Sequence, residues 1–381
     1  MPRDVPAPIR LAAAGLALIA VCYGLARFAY GLFLPVLTEE FGLDGAVAGT
    51  IASSSYIAYC VAVVAATAAT AAWGPRAVAV AAGITAATGT GVIAAAGSTG
   101  VLAAGVVIAG ASTGLASPPL ADAVARWVAA DRADRAQTAV NAGTGLGVMI
   151  SGPVALLTGQ NWRLAWVVFA LTAVAVTIWI ALTIPKRDSA ADPSRWRELL
   201  PARWFPPGSL RLLTAATVMG AGSSAIWTFG RDIAINSGGV SSQASTVLWI
   251  VLGAAGLLGA LTGDLTARIG LARSWSISML VLAAATATFA VAIRHYAVIL
   301  VAAAVFGAVY IAVTGLQLLW GVRTYPDHPA FGVGAPFFLI AAGQALGSPL
   351  IGLLSDATTA TIAFGVAAAG LAVGATVRPR A

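Results

Sequence analysis

Twelve apolar stretches, each close to the length needed to cross a bilayer, follow one another along this chain of 381 residues. A transmembrane helix needs about 20 consecutive apolar residues. Because backbone polar groups find no water in the hydrocarbon core, such stretches must form helices there. They span residues 11–34, 46–70, 77–96, 101–125, 137–158, 163–184, 210–231, 243–263, 274–293, 297–321, 331–353 and 358–377. The sequence therefore predicts an all-α membrane protein with twelve transmembrane helices.

The charged residues are few and are distributed by membrane side. They make up 9% of the chain, whereas soluble domains carry about 25%. All 21 Lys and Arg residues except Arg27, Arg163, Arg231 and Arg294 fall in segments on the side that holds the N-terminus. The positive-inside rule then predicts a multi-pass protein of the cell membrane with both termini in the cytoplasm. The lipid bilayer, rather than nucleic acid, accounts for the net charge of +7.

A pattern of glycine and proline recurs at an offset of 196 residues. It consists of Gly74, Gly147 and Pro153 in the first half and Gly270, Gly343 and Pro349 in the second. The longest polar break, residues 185–209, separates the two copies. We expect two pseudo-symmetric six-helix bundles, residues 1–184 and 210–381, joined by a cytoplasmic linker over 185–209. Repeats of this kind are typical of secondary transporters.

A loop motif lies between the eighth and ninth stretches. Its members are Gly259, Gly263, Asp264, Arg268, Gly270 and Arg273. It resembles the loop motif of the Major Facilitator Superfamily, and the resemblance implies a conformational latch. Asp264 can pair with Arg268 or with a helix N-terminus and hold one conformation closed. The corresponding first-half stretch has Ala68 and Ala72 where the acid and the arginine would align, so only one latch is expected.

The fifth stretch resembles the glycine-rich fifth helix that is associated with exporters in this superfamily. It contains Gly143, Gly147, Gly152 and Pro153, which we predict to form a helix-packing hinge. The segment 24–35 is similar to the opening helix of YbfB/YjiJ-type bacterial members. The resemblance implies the twelve-helix fold of the superfamily, and we expect a chain that needs no cofactor and functions as a monomer.

Arg27 is the one basic residue predicted deep inside a stretch. A lone charge at such depth costs about 2.5–3.5 kcal/mol on insertion scales, so the side chain should face protein or water. Two interpretations stay open. Arg27 forms a structural pair with Asp122, Asp232 or Asp356, or it receives an anionic group of a substrate. Outward snorkelling is a third, weaker alternative.

Further polar side chains fall at helical spacing within the stretches. The predicted substrate-binding residues are Arg27, Tyr23, Tyr30, Asn141, Trp227, Tyr310, Thr314, Gln317 and Gln344. Tyr23, Arg27 and Tyr30 share one face of the first helix, and Tyr310, Thr314 and Gln317 share one face of the tenth. We predict that they line a central cavity, with hydrogen bonding between helices as the alternative.

These patterns favour a secondary transporter that moves a small organic solute by alternating access. Efflux of an anionic compound is the preferred interpretation. The alternatives are a proton-coupled importer of a small organic acid and a non-transporting membrane sensor with a transporter fold. The sequence contains no Ser/His/Asp set and no Cys/His cluster, and His295 and His328 are predicted on opposite membrane faces, so neither an enzyme nor a metal site is expected.

Overall fold

The computed structural model describes residues 8–159, 161–185, 204–258 and 268–379. These residues form twelve helices and no strand. Ten helices are long and apolar enough to cross a membrane, and Ser242–Gly256 and Ala360–Gly374 are shorter apolar helices. The prediction of an all-α membrane protein is confirmed. The helices are α1 (Pro8–Phe41), α2 (Gly45–Trp73), α3 (Pro75–Ala94), α4 (Thr99–Trp127), α5 (Ala130–Thr158), α6 (Trp162–Thr183), α7 (Ser209–Asn236), α8 (Ser242–Gly256), α9 (Leu271–Val291), α10 (Tyr296–Thr324), α11 (Pro329–Ala357) and α12 (Ala360–Gly374).

Several helices extend beyond the apolar stretches that predict them. α1 continues to Phe41, whereas its stretch ends at residue 34, and α5 begins at Ala130, whereas its stretch begins at residue 137. The reason is that the backbone hydrogen-bond ladder continues into polar sequence once a helix is established. Side chains at helix ends can hydrogen-bond with water at the membrane surface, so hydropathy marks the membrane core rather than the helix.

The sequence repeat is matched by a repeat in packing. In the first half, α1 packs on α5, and α3 packs on α4 and α6. In the second half, α7 packs on α11, and α9 packs on α10 and α12. Each pair in the first set has its counterpart six helices later. Gly74 and Gly270 also adopt the same conformation before α3 and α9, with φ and ψ of 82° and 163° in one and 81° and 158° in the other.

The backbone conformation of Gly74 should require glycine at that position. Because a φ of 82° at extended ψ is essentially restricted to glycine, we expect Gly74→Ala to lower the free energy of unfolding by about 1–3 kcal/mol. The change in thermal unfolding temperature of the detergent-purified protein measures this effect. Gly365→Ala is the control, since a Cβ there would meet no atom within 4 Å. Equal stability of the two variants would show that the conformation at position 74 does not require glycine.

The described residues divide into two compact units. One contains the chain up to Tyr30 and the residues from Ser54 to the predicted linker, and the other contains Gly31–Ser53 and the residues after that linker. The end of α1 and the start of α2 thus group with the second half of the sequence. Residues 186–203 of the predicted linker lie outside the described residues. The domain boundaries at 184 and 210 stay a prediction.

Candidate functional site

The first helix of each repeat contains a π-helical segment. It covers Ala20–Phe28 in α1 and Ala225–Phe229 in α7. A π-helix is wider than an α-helix, and short π segments occur frequently at functional sites. Three predicted site residues, Tyr23, Arg27 and Trp227, lie within these segments. The local widening of the helices therefore coincides with the positions that the sequence singles out.

The guanidinium of Arg27 is surrounded by aromatic rings. Its Cζ atom lies 4.6 Å and 4.8 Å from the ring centroids of Tyr56 and Tyr59, and 5.3 Å and 5.9 Å from those of Phe28 and Tyr23. The side chain of Arg27 is only 7% exposed. Each cation–π contact stabilises a charge by about 0.5–2 kcal/mol, more where water is excluded. These four rings, hereafter the Arg27 aromatic box, explain how a guanidinium is retained at membrane depth.

The box is fixed by contacts among its own members. The Tyr23 hydroxyl shares a hydrogen bond of 2.9 Å with the Ser117 hydroxyl on α4. The rings of Tyr23 and Tyr59 meet edge to face with centroids 6.4 Å apart. Sequence analysis identified Tyr23 but missed Tyr56 and Tyr59. Their spacing of three residues places them on one face of α2, which is a signal that a search for aromatic faces could have found.

The three acids that the sequence offers as partners for Arg27 each contact another group. Asp122 forms an ion pair with Arg126, with 2.5 Å between Oδ2 and Nε. Asp232 accepts a hydrogen bond of 2.9 Å from the Asn236 side chain. Asp356 accepts hydrogen bonds from the first backbone N–H groups of α2. Arg27 itself contacts aromatic rings of α1 and α2.

In the second unit, Trp227 lies at the centre of an aromatic cluster. Its ring centroid is 5.1 Å from that of Tyr310, 5.8 Å from that of Trp249 and 5.9 Å from that of Phe306, each in an edge-to-face arrangement. The Gln344 side chain donates a hydrogen bond of 3.3 Å to the Tyr310 hydroxyl. The structure thus brings three predicted residues, Trp227, Tyr310 and Gln344, into one group. All three are buried.

The other predicted substrate residues are more scattered. Tyr30 is buried, close to the end of the π segment of α1. Thr314 is half-buried and donates a hydrogen bond to the Ile311 carbonyl of its own helix. Asn141 is exposed and accepts a hydrogen bond from Gln137, one turn earlier on α5. Gln317 is completely buried, and neither polar atom of its side chain has a hydrogen-bond partner among the described residues.

The predicted latch is only partly described. Gly263 and Asp264 lie outside the described residues. Arg268 is exposed, and Gly270 precedes α9 with positive φ. Arg273 lines an open cavity of about 920 Å³ together with Arg323 and residues of the segment 324–328. None of the predicted substrate residues is among the described residues that line this cavity.

The predicted hinge glycines bring α5 close to α1. A Cβ atom at Gly143 would collide with the carbonyl oxygen of Leu16, and one at Gly147 with that of Ala20. Gly24, inside the π segment, similarly faces the backbone of Gly147. Gly152 is buried, whereas Pro153 is exposed on the same helix. The glycines therefore allow the backbone of α5 to contact the segment that carries Arg27.

A second arginine, Arg231, is buried within α7, where it is only 8% exposed. Its partners are the side chains of Ser242, Ser245 and Thr246 and two backbone carbonyls. Hydropathy cannot reveal this position, because a cluster of neutral hydroxyls leaves no charge pattern in the sequence.

Twelve apolar helices in two similarly packed sets define a polytopic membrane protein of the secondary-transporter type. A family model described as Major Facilitator Superfamily matches residues 16–348. The chain therefore belongs to the Major Facilitator Superfamily, as the motifs had indicated. It is a family of transporters rather than enzymes, so membership agrees with a secondary transporter.

Solved structures with the same fold are known. The crystal structure of a mutant of the nucleoside transporter NupG has a TM-score of 0.77 and 13% identity, and the match covers 96% of this chain and 98% of that one. A bacterial homologue of the human lysosomal transporter Spinster, solved in an inward-facing and occupied conformation, has a TM-score of 0.76 and 14% identity, covering 97% and 95% of the two chains. Identities this low establish the fold alone.

A sequence relative is the transcription regulatory protein OpdE of Pseudomonas aeruginosa strain PAO1. It is 25% identical over 260 residues, which cover 66% of this chain. The match spans 63% of the length of that protein, less than two thirds.

Proposed function

We propose that this chain is a secondary transporter that moves a small organic anion across the cell membrane by alternating access, with efflux as the favoured direction. The observation that carries the proposal is the buried guanidinium of Arg27 in the π segment of α1. An ionisable residue within a membrane span is costly, and where it is retained it usually serves a function. The aromatic box reduces that cost through cation–π contacts.

The chemistry of guanidinium favours a planar anion as its ligand. Its N–H groups lie in one plane and match a carboxylate or a phosphate in a two-point contact. Aromatic rings interact with the face of a guanidinium, whereas its N–H donors point outward from its edge. The proposed substrate is therefore a small organic compound with a carboxylate or a similar planar anionic group.

The direction of transport follows from the membrane potential. A potential of 100 mV is worth about 2.3 kcal/mol per charge, equivalent to an approximately fiftyfold concentration gradient. An interior-negative membrane favours exit of an anion, so efflux requires no second ion, whereas uptake would require co-transported protons. The likeness of the fifth helix to that of exporters supports efflux. Proton-coupled import of an organic acid is the rival within the transporter class.

Alternating access requires two bodies that move against each other. We propose that residues 1–184 and 210–381 act as these two bundles, with both termini in the cytoplasm and a single chain as the functional unit. The repeat in packing, in which each half reproduces the contacts of the other, supports this arrangement.

A sensor is the second candidate function, and one specific observation favours it. The relative OpdE is named a transcription regulatory protein. A chain that binds a solute in the same site without releasing it on the other side would sense that solute at the membrane. Such a protein and a transporter would show the same ligand binding and would differ only in flux.

The test begins with the detergent-purified protein and a panel of solutes sorted by charge. We expect carboxylates to raise the thermal unfolding temperature, because a ligand that binds only the folded state stabilises it by mass action. The carboxylate with the largest effect is then loaded, in labelled form, into proteoliposomes that contain the protein. An imposed potential should accelerate its release when the loaded side is negative.

Each result separates the candidates. Flux that follows the potential supports anion transport, whereas flux that requires a proton gradient supports the importer. Stabilisation without any flux supports the sensor. Stabilisation only by neutral or cationic solutes would contradict the proposed substrate class.

A further inference from the structure

Residues 31–53, hereafter the α1–α2 segment, comprise the end of α1, the connection and the start of α2. This segment belongs to the compact unit that also contains α7, α8 and α11. The sequence places its connection on the side opposite to both termini. If transport proceeds by alternating access, as proposed above, a path to that side opens only when the segment separates from these three helices. The contacts between this segment and the three helices therefore oppose opening on that side.

Arg231 attaches one end of the segment. Its Nη1 atom donates a hydrogen bond to the carbonyl oxygen of Leu32 on α1. Its Nε and Nη2 atoms donate bonds of 2.9 Å to the hydroxyls of Ser242, Ser245 and Thr246 at the start of α8. A buried guanidinium thus bridges α7, where it originates, to α1 and α8. Hydrogen bonds to a charged group are stronger than those between neutral groups.

Asp356 attaches the other end. Its two carboxylate oxygens accept hydrogen bonds of 3.0 Å and 2.8 Å from the backbone N–H groups of Gly45 and Ala46, the first residues of α2. A helix N-terminus presents unsatisfied N–H groups and a partial positive charge, so a carboxylate is favourable there. Asp44 caps the third N–H group, that of Val47, at 2.7 Å. Of these two carboxylates, that of Asp44 is adjacent in sequence, whereas that of Asp356 lies on a distant helix, α11.

Between these two attachments the backbones are in close contact. A Cβ atom at Gly49 would collide with the carbonyl oxygen of Ser348, and one at Gly352 with that of Gly45. The Ser53 hydroxyl donates a hydrogen bond of 2.6 Å to the carbonyl of Ala345. Small residues on α2 and α11 therefore allow the two backbones to approach closely along this contact.

We propose that Arg231 and Asp356 are two charged latches that keep the α1–α2 segment against α7, α8 and α11, and that both must release before the protein opens on that side. Each latch grips main-chain atoms, a carbonyl in one case and amides in the other. On the α1–α2 segment, each latch therefore binds the main chain, so no side chain of that segment is needed for it. A salt bridge, in contrast, can be removed by substituting either of its two side chains.

The test measures how often the contact opens. Ser53→Cys places a thiol at a buried position of the contact, in a protein whose half-buried Cys60 is replaced by alanine. Reaction with a maleimide in detergent reports opening without any assumption about orientation. We expect Asp356→Asn to accelerate labelling of this cysteine about tenfold, because the loss of a charged hydrogen-bond acceptor shifts such an equilibrium by roughly that factor. Arg231→Met should have a similar or larger effect.

Two matched controls remove similar interactions that do not attach the α1–α2 segment to α7, α8 or α11. Asp44→Asn weakens a cap at the same helix N-terminus, and Arg163→Met removes an arginine that donates to a carbonyl, that of Ala96, outside this contact. Both should leave the labelling rate unchanged. If Arg231→Met does not fold, Asp356→Asn decides alone, since that carboxylate is exposed and its loss leaves no buried gap.

The outcomes are independent of the proposed function. Unchanged labelling in Asp356→Asn, or equal acceleration by Asp44→Asn, would overturn the latch even if the protein transports an anion. Acceleration by Asp356→Asn alone, in a protein that shows no flux in proteoliposomes, would support the latch and count against transport.

Discussion

Arg27→Gln is expected to reduce flux of the anionic solute by at least about 100-fold. The variant keeps a shorter polar side chain but loses the charge and the two-point contact, and about 2.7 kcal/mol of lost binding corresponds to that factor. The same change should abolish the thermal stabilisation by carboxylates. Folding should be retained, because the four rings of the box can pack against an amide as well as against a guanidinium.

Two further variants show whether the charge serves the ligand or the fold. Arg27→Lys keeps the charge but offers no planar pair of donors, so it should fold normally and retain only part of the flux. Arg163→Gln removes an arginine that also lies over an aromatic ring, 4.2 Å from the centroid of Trp162, and should leave flux unchanged. If Arg27→Gln fails to accumulate while Arg27→Lys behaves as the unaltered protein, Arg27 is structural and the proposed site is wrong.

Gly147→Val is expected to lower the free energy of unfolding by about 3 kcal/mol and to abolish transport. A side chain at this position would collide with the carbonyl oxygen of Ala20, which is backbone and cannot move aside as a rotamer can. Overpacking of this kind typically costs 1–3 kcal/mol, and more where the backbone must shift. The displaced α1 would move Arg27 away from the rings of Tyr56 and Tyr59 on α2. Thermal unfolding and flux are the two measurements.

Gly91→Val is the matched control for this change. Gly91 lies within α3, and a Cβ there meets no atom within 4 Å. The control should therefore retain both stability and flux. A loss of stability in Gly91→Val as large as that in Gly147→Val would show that helix propensity, rather than the contact with α1, causes the effect.

The helices could be predicted from the sequence because their signal is local. A run of about 20 apolar residues requires a helix in lipid whatever its neighbours are. The depth of Arg27 could also be predicted, since it depends on position within one helix. Its aromatic partners could not be predicted, because Tyr56 and Tyr59 reach Arg27 from α2 only through the packing of one helix on another.

Polar residues were harder to interpret for a related reason. Thr314 and Asn141 have the helical positions of cavity residues, yet each bonds within its own helix. A hydroxyl or amide in a helix can hydrogen-bond to a backbone or side-chain group one turn away. The spacing of polar residues along the sequence does not distinguish such a bond from contact with a ligand. The burial of Arg231 was not predictable either, because its partners are hydroxyls and backbone carbonyls, which leave no charge pattern in the sequence.

The sequence repeat also has a different register from the structural one in the fifth and eleventh helices. The offset of 196 pairs Gly147 with Gly343. In the structure, Gly143 and Gly147 face Leu16 and Ala20, whereas Gly343 and Gly347 face Thr217 and Ala221. Gly147 therefore corresponds to Gly347, one helical turn further on. Glycines spaced four residues apart allow both alignments, and only the packing on α1 and α7 distinguishes them.

The contacts of Arg231 and Asp356 with main-chain atoms have a consequence for variation of the chain. Every residue other than proline presents the same amide and carbonyl, so the side chains at Leu32, Gly45 and Ala46 do not determine these bonds. Related proteins could therefore differ along residues 31–53 and keep the same closure. Similarity between relatives over this stretch would then say little about whether they open alike, and the identity of positions 231 and 356 would say more.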